Sequence, residues 1–227
     1  MNVLALDTSG SVLYAAIKTD NGLYTNNLEK NTMHHSESII PVIDALLKQA
    51  SLSVSDLDLL VCTRGPGSFT GLRIAMSALK GLSYGQDIPL VSVSTLEAWA
   101  RAASSIEGLK VVAIDAKKQR YYLSAFADKR LMPDTDGSPA DLTEVLKNHE
   151  SVTVIGPDAE SFAPMIVGRS VKVVDVSASL VSSLIELGVE SFEKNGADHI
   201  GQGPVYLRKS DAEYALEERL KEEGKNE

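Results

Sequence analysis

The order of apolar and polar positions divides the chain into two stretches with the same grammar. Residues 2–7 read as a strand, 12–18 as a second strand returning across Thr8-Ser9-Gly10, and 23–28 as a third, which together predict a meander. The period then becomes helical over 35–50, shortens to an apolar strand run at 57–62, is helical again over 68–86 and ends in a short strand at 90–93. The second stretch reopens with a strand at 110–115 and a returning partner at 121–127. Further strands are expected at 152–155 and 171–174, and an amphipathic helix over 178–194. Residues 132–140, with two prolines and a glycine, read as a loop. Both stretches begin with a strand that ends in an aspartate, Asp7 and Asp115, followed by a returning strand.

The first two helices are more apolar than a helix lying on a sheet requires. Ile39, Ile40, Val42, Ile43, Leu46 and Leu47 cover more than one stripe of the first. On the second, Phe69, Leu72, Met76 and Leu79 form one stripe and Ala75, Ala78 and Leu82 another. The small residues are expected to face the sheet and leave the larger ones for a neighbour. Burial of both stripes within the monomer is the competing reading, and the pattern alone leaves both open.

Between strand 57–62 and helix 68–86 lies Arg64-Gly65-Pro66-Gly67-Ser68-Phe69-Thr70-Gly71-Leu72-Arg73-Ile74, a tight turn with Ser68 or Thr70 placed to cap the helix. Free amides and the dipole at a helix start suit an anion, and glycines admit a ligand or another backbone closely. A P-loop needs Gly-Lys-Ser/Thr where this chain has Thr70-Gly71-Leu72. A dinucleotide fingerprint needs two residues between its last glycines, and three separate Gly67 from Gly71. An anion site and a turn that packs strand against helix both remain open.

A net charge of -9 over 227 residues works against direct nucleic-acid binding, which needs clustered Lys and Arg to neutralise phosphates. The densest basic group, Lys117-Lys118-Gln119-Arg120, reads as a solvated hairpin turn. No basic leader precedes an apolar region and no apolar run approaches membrane-spanning length, so a cytoplasmic, non-membrane protein is expected. The single cysteine, Cys62, sits in an apolar strand run and reads as a buried reduced thiol. His34 and His35 are adjacent and cannot chelate as an i, i+4 pair does, while His149 and His199 lie in loop-like sequence. Neither a nucleophile elbow nor a cysteine–histidine pair emerges.

The eleven-residue glycine segment, with Leu6-Asp7-Thr8-Ser9 before it and Pro204-Val205-Tyr206-Leu207-Arg208 after it, resembles the TsaB (YeaZ) family of the bacterial tRNA threonylcarbamoyladenosine machinery. The likeness extends over nearly the whole chain. Two strand–turn–strand units with an acidic residue at each turn outline the α/β, duplicated actin, sugar-kinase and Hsp70-like (ASKHA) fold. It would have two lobes, 1–100 and 101–210, each with a mixed sheet flanked by helices, and a charged tail at 211–227. In that superfamily the two turns grip nucleotide phosphates. Asp7, Thr8 and Ser9 are therefore the candidate cofactor-binding residues, although Asp115 is followed by Ala116-Lys117-Lys118-Gln119 with no glycine.

The catalytic relative TsaD carries His-x-Glu-Gly-His after the corresponding strand, a metal-binding i, i+4 pair. This chain has Thr95 and Trp99 in those positions around Glu97, so the resemblance implies a noncatalytic subunit with no metal and no cofactor of its own. ATP or ADP is then expected only at the assembled complex. Such a subunit would pair with TsaD, or with itself when TsaD is absent. The TsaE ATPase would join a larger complex, tRNA would be met only indirectly, and the product would be the threonylcarbamoylated adenosine next to the anticodon. The expected interface is Ile40, Ile43, Leu47, Phe69, Arg73, Met76 and Lys80. An independent ATP-dependent phosphotransferase and a metallopeptidase-like protein are the competing functions. The tail from Ser210 reads as a solvated, charged segment.

Overall fold

Two five-stranded sheets with one strand order form the frame of the computed structural model, which describes residues 1–29 and 35–208. The first lobe runs β1 (Val3–Asp7), β2 (Val12–Thr19), β3 (Gly22–Glu29), α1 (His35–Ala50), β4 (Leu59–Gly65), α2 (Phe69–Gln86), β5 (Leu90–Ser94) and α3 (Thr95–Ala102). The second runs β6 (Lys110–Lys117), β7 (Arg120–Phe126), β8 (Arg130–Gly137), α4 (Thr143–Leu146), β9 (Ser151–Ile155), α5 (Ala159–Phe162), β10 (Ser170–Val173) and α6 (Leu180–Asn195). The sheets read β3-β2-β1-β4-β5 and β8-β7-β6-β9-β10, so strand for strand the second repeats the first. In each, an antiparallel meander continues into parallel strands.

Strand alternation builds the layers. On β1, Leu4 and Leu6 face α1 and α2, whereas Val3 and Ala5 face a central layer of α3 and α6. On β6, Val112 and Ile114 face that same central layer and Val111 and Ala113 face the outer side of the second sheet. Strands buried on both faces carry apolar residues on both, which is why Val3 to Leu6, Leu59 to Cys62 and Val111 to Ile114 are continuous apolar runs. Each such side chain contributes roughly 1.5–3 kcal/mol of burial. Although α6 lies within 101–210 by sequence, it presses on the first sheet, where a Cβ at Gly188 would sit 2.4 Å from Val61. The lobes therefore share a core.

Two expectations change. Residues 132–140 are not all loop: β8 spans Arg130–Gly137 and is the counterpart of β3. It is an edge strand, where a proline such as Pro133 costs no ladder hydrogen bond on the open side. On α2 it is not the small residues alone that face the sheet, because Leu72, Met76 and Leu79 are buried together with Ala75. A helix on a sheet gains most by burying its largest apolar side chains. The tail 211–227, Ser210 and His34 lie outside the described residues, as does the side chain of His35.

Candidate functional site

The glycine segment is a joint between four pieces of chain. Gly71 lies so close to the first hairpin turn that a Cβ there would be 1.9 Å from the Thr8 carbonyl oxygen. A Cβ on Gly67 would lie 2.6 Å from Ser9 Cβ. Gly65, at φ +110°, leaves room for the carbonyl of Val205, which a Cβ would approach to 2.6 Å. Ser68 caps α2 by accepting from the Gly71 amide at 3.2 Å. Of the two readings that the sequence left open, close packing of backbone on backbone is the use this structure makes of the three glycines.

Asp7, Thr8 and Ser9 are brought together with this joint and are all buried. The Asp7 carboxylate accepts from the Ser9 amide at 2.9 Å and from Thr63 Oγ1 at 2.6 Å. Thr8 Oγ1 donates to the Gly71 carbonyl at 2.7 Å, and the Ser68 amide donates to the Ser9 carbonyl at 2.7 Å. The groups offered by the sequence for phosphate thus hold the hairpin to the loop. Cys62, just below, is fully buried, and burial followed by the fields of Asp198 and Asp7 pushes its thiol up to about 12. It stays protonated and inert at neutral pH.

The second turn is built without glycine. Lys117, Lys118 and Gln119 all have positive φ, at 64°, 55° and 60°, a conformation in which L-residues are strained by roughly 1 kcal/mol each. Asp115 anchors it, accepting from the Lys117 amide and ammonium, each at 2.7 Å. Burial raises the Asp115 pKa, but these hydrogen bonds outweigh it and hold the carboxyl below its ordinary value. The four residues 117–120 are all exposed, so this is the solvated hairpin turn expected from composition.

Thr95 and Trp99 are core residues, 0% and 3% exposed. Trp99 packs edge-to-face on Tyr14, with centroids 6.4 Å apart, and Thr95 Oγ1 has no hydrogen-bond partner among the described residues. Among the described residues no group of three or more His, Cys, Asp or Glu is placed to hold a metal ion, and no helix is long and apolar enough to cross a membrane. His199 is locally bonded, its Nδ1 accepting from the Gly201 amide at 3.0 Å.

The expected interface residues divide into two sets. Ile43, Leu47 and Met76 lie in this chain's own core, packed beneath the helices, and offer no free surface. Ile40 is 55% exposed and Arg73 is exposed, whereas Phe69, Arg73 and Lys80 meet the chain's C-terminal segment. Strands β1, β3, β4 and β5 share a direction, so α1 and α2, which join β3 to β4 and β4 to β5, return side by side. The outward stripe of α2 carries Arg73, Ser77, Gly81, Tyr84 and Gly85, and Tyr84 is 86% exposed. A Cβ at Gly81 or Gly85 would meet nothing within 4 Å, so packing within this chain does not account for either glycine. Sequence reasoning missed Tyr84 and both glycines. The signal was the 4-residue spacing Ser77, Gly81, Gly85 along the second half of a helix.

The family model for TsaD, tRNA N6-adenosine threonylcarbamoyltransferase, matches residues 29–154. The tRNA threonylcarbamoyladenosine biosynthesis protein TsaB of Bacillus subtilis is 32% identical over 224 residues, covering 94% of this chain and 96% of that protein. Among solved structures, YeaZ from Pseudomonas aeruginosa superimposes with a TM-score of 0.78 at 23% identity, over 91% of this chain and 99% of that one. The ROK hexokinase of Thermus thermophilus gives 0.50 at 10% identity, over 83% and 100% of the two chains. These two structures speak to the fold, which is the duplicated actin, sugar-kinase and Hsp70-like one.

Proposed function

Because the chain belongs to the TsaB family of tRNA threonylcarbamoyladenosine biosynthesis proteins, we propose that it is the noncatalytic subunit that binds and activates TsaD through the outward face of α1 and α2. The observation that carries this reading is the unfilled stripe of α2. A glycine inside a helix costs about 1 kcal/mol relative to alanine, and Gly81 recovers none of it within the chain, while Gly85 in the last turn of α2 likewise packs against nothing. They allow the backbone of a second helix to come close beside the exposed side chain of Tyr84. A standard interface, roughly 800 Å² a side, suffices for a stable complex.

Core residues at positions 95 and 99 support a subunit without its own metal chemistry, since neither threonine nor a buried indole supplies an imidazole nitrogen. The same residues lend no support to the metallopeptidase reading. The phosphotransferase reading draws on the fold alone, because Asp7 and Thr8 are spent within the joint. In the proposed assembly TsaD supplies the transfer of the threonylcarbamoyl group to adenosine, and the TsaE ATPase joins the larger complex in the cytoplasm. The basic surface for tRNA then comes from partners, given the net charge of -9. A second copy of this chain occupies the same face when TsaD is absent.

Size-exclusion chromatography with light scattering tests the pairing. Mixing the purified chain with a TsaD-family transferase is expected to give a one-to-one heterodimer at the expense of any self-associated form. Separate elution at every concentration would overturn the proposal.

A further inference from the structure

The chain beyond α6 runs without regular structure along the first lobe and then back to the second. Gly196, at φ 78°, ends α6, and Asp198 docks on the open edge of β5. Its amide donates to the Leu90 carbonyl at 2.8 Å and its carboxylate accepts from the Ser92 amide at 2.8 Å. The Lys80 ammonium on α2 donates to the Ile200 carbonyl at 2.8 Å and the Gln202 carbonyl at 2.5 Å. At the end of β4 the Val205 amide donates to the Arg64 carbonyl at 2.7 Å, beside the gap that Gly65 leaves.

Tyr206 then stacks on Phe69, with centroids 3.8 Å apart and planes at 12°. Arg73 covers both rings, 4.6 Å from the Phe69 centroid, and its Nε donates to the Tyr206 hydroxyl at 2.7 Å. Two residues later the Arg208 guanidinium donates to the Ala116 carbonyl at 2.7 Å, at the far end of β6 in the second lobe. The two ends of this crossing, Arg64 and Ala116, lie at the carboxyl ends of β4 and β6. In open α/β sheets the ligand crevice forms at those ends.

We propose that residues 197–208 are an interlobe latch, anchored to the first lobe by the Phe69–Arg73–Tyr206 stack and to the second by Arg208, which together fix the separation of the two lobes at the carboxyl ends of β4 and β6. The shared α3–α6 core joins the lobes on the inner side, and the latch joins them at the rim, so neither lobe swings about that core as a hinge. The contacts tie the outward side of α2 to the start of the strained turn at 117–119 through the three residues Tyr206, Leu207 and Arg208, whatever protein docks on α2. Hinge-type closure around a ligand is the motion that such a tie suppresses.

Nitroxide labels at Ser11→Cys and Glu160→Cys, both exposed and one on each lobe, report the separation of the lobes by electron–electron distance measurement. Buried Cys62 does not take the label. The unaltered latch is expected to give one narrow distance distribution. Tyr206→Ala with Arg208→Ala is expected to broaden it to roughly twice the width, and Tyr206→Phe with Arg208 intact is expected to leave it narrow. If the double variant fails to fold, Arg208→Ala alone is expected to broaden the distribution, since its main-chain contacts lie at the rim. An unchanged width in a folded Arg208→Ala protein overturns the latch.

Discussion

Gly71→Ala is expected to destabilise the protein by about 3 kcal/mol or more, a fall in Tm on the order of 10 °C. The added methyl would lie 1.9 Å from the Thr8 carbonyl oxygen and 3.1 Å from its carbon, both backbone atoms that no rotamer change can move aside. Relief requires the first hairpin turn and α2 to separate. That in turn breaks the hydrogen bond from Thr8 to Gly71 and disturbs the Asp7, Ser9 and Thr63 network beneath. Thermal unfolding followed by circular dichroism measures the loss. A Tm within a degree or two of wild type would mean that the joint is looser than these distances describe. Gly10→Ala is the control, because a Cβ there meets nothing within 4 Å.

Gly81→Gln together with Gly85→Gln is expected to act in opposite directions on the monomer and on the complex. Glutamine is a good helix former, and both positions face open space, so the isolated chain gains a few tenths to about 1 kcal/mol at each site. Two long side chains on the stripe proposed to take a partner helix should weaken the heterodimer by roughly 100-fold or more. Titration calorimetry and thermal unfolding on the same preparation separate the two effects. Unchanged affinity would remove α2 from the interface, and reduced affinity with a raised Tm cannot be blamed on misfolding. Met76→Asp is no use for this purpose, because Met76 is 4% exposed and its loss would damage the core.

Much of the fold was legible because strand periodicity and the two aspartates recur in the same places. Asp7 ends β1 and Asp115 lies two residues before the end of β6, each the central strand of its sheet, and the strand order around them is identical. What escaped was the strand whose composition contradicts its role: β8 contains Pro133 and ends at Gly137, and only its edge position reconciles them. The faces of α2 were also misassigned. Periodicity marks two stripes but does not say which one the sheet takes, and the sheet took the stripe with the larger side chains, Leu72, Met76 and Leu79.

The glycine segment was located correctly by sequence, yet its purpose depended on what lay against it. Nothing local to residues 64–74 says that Thr8, Ser9 and Val205 approach each glycine. The latch was illegible for a related reason. It has no period, and its anchors join residues 133 positions apart, as Arg73 and Tyr206 are, or 92 apart, as Arg208 and Ala116 are. Non-local side-chain contacts of that kind leave no pattern in hydropathy, although the sequence Pro204-Val205-Tyr206-Leu207-Arg208 did stand out as part of the family likeness.

Reconstituted tRNA threonylcarbamoylation tests most directly the claim that this subunit works by contact and lends no catalytic group. Modification of the adenosine next to the anticodon is measured with the chain alone, with TsaD alone and with both, the ATPase being present throughout. Product is expected only in the complete mixture and is expected to fall with the Gly81→Gln, Gly85→Gln variant. Product formed by this chain without TsaD, or by TsaD equally well without this chain, would contradict the account.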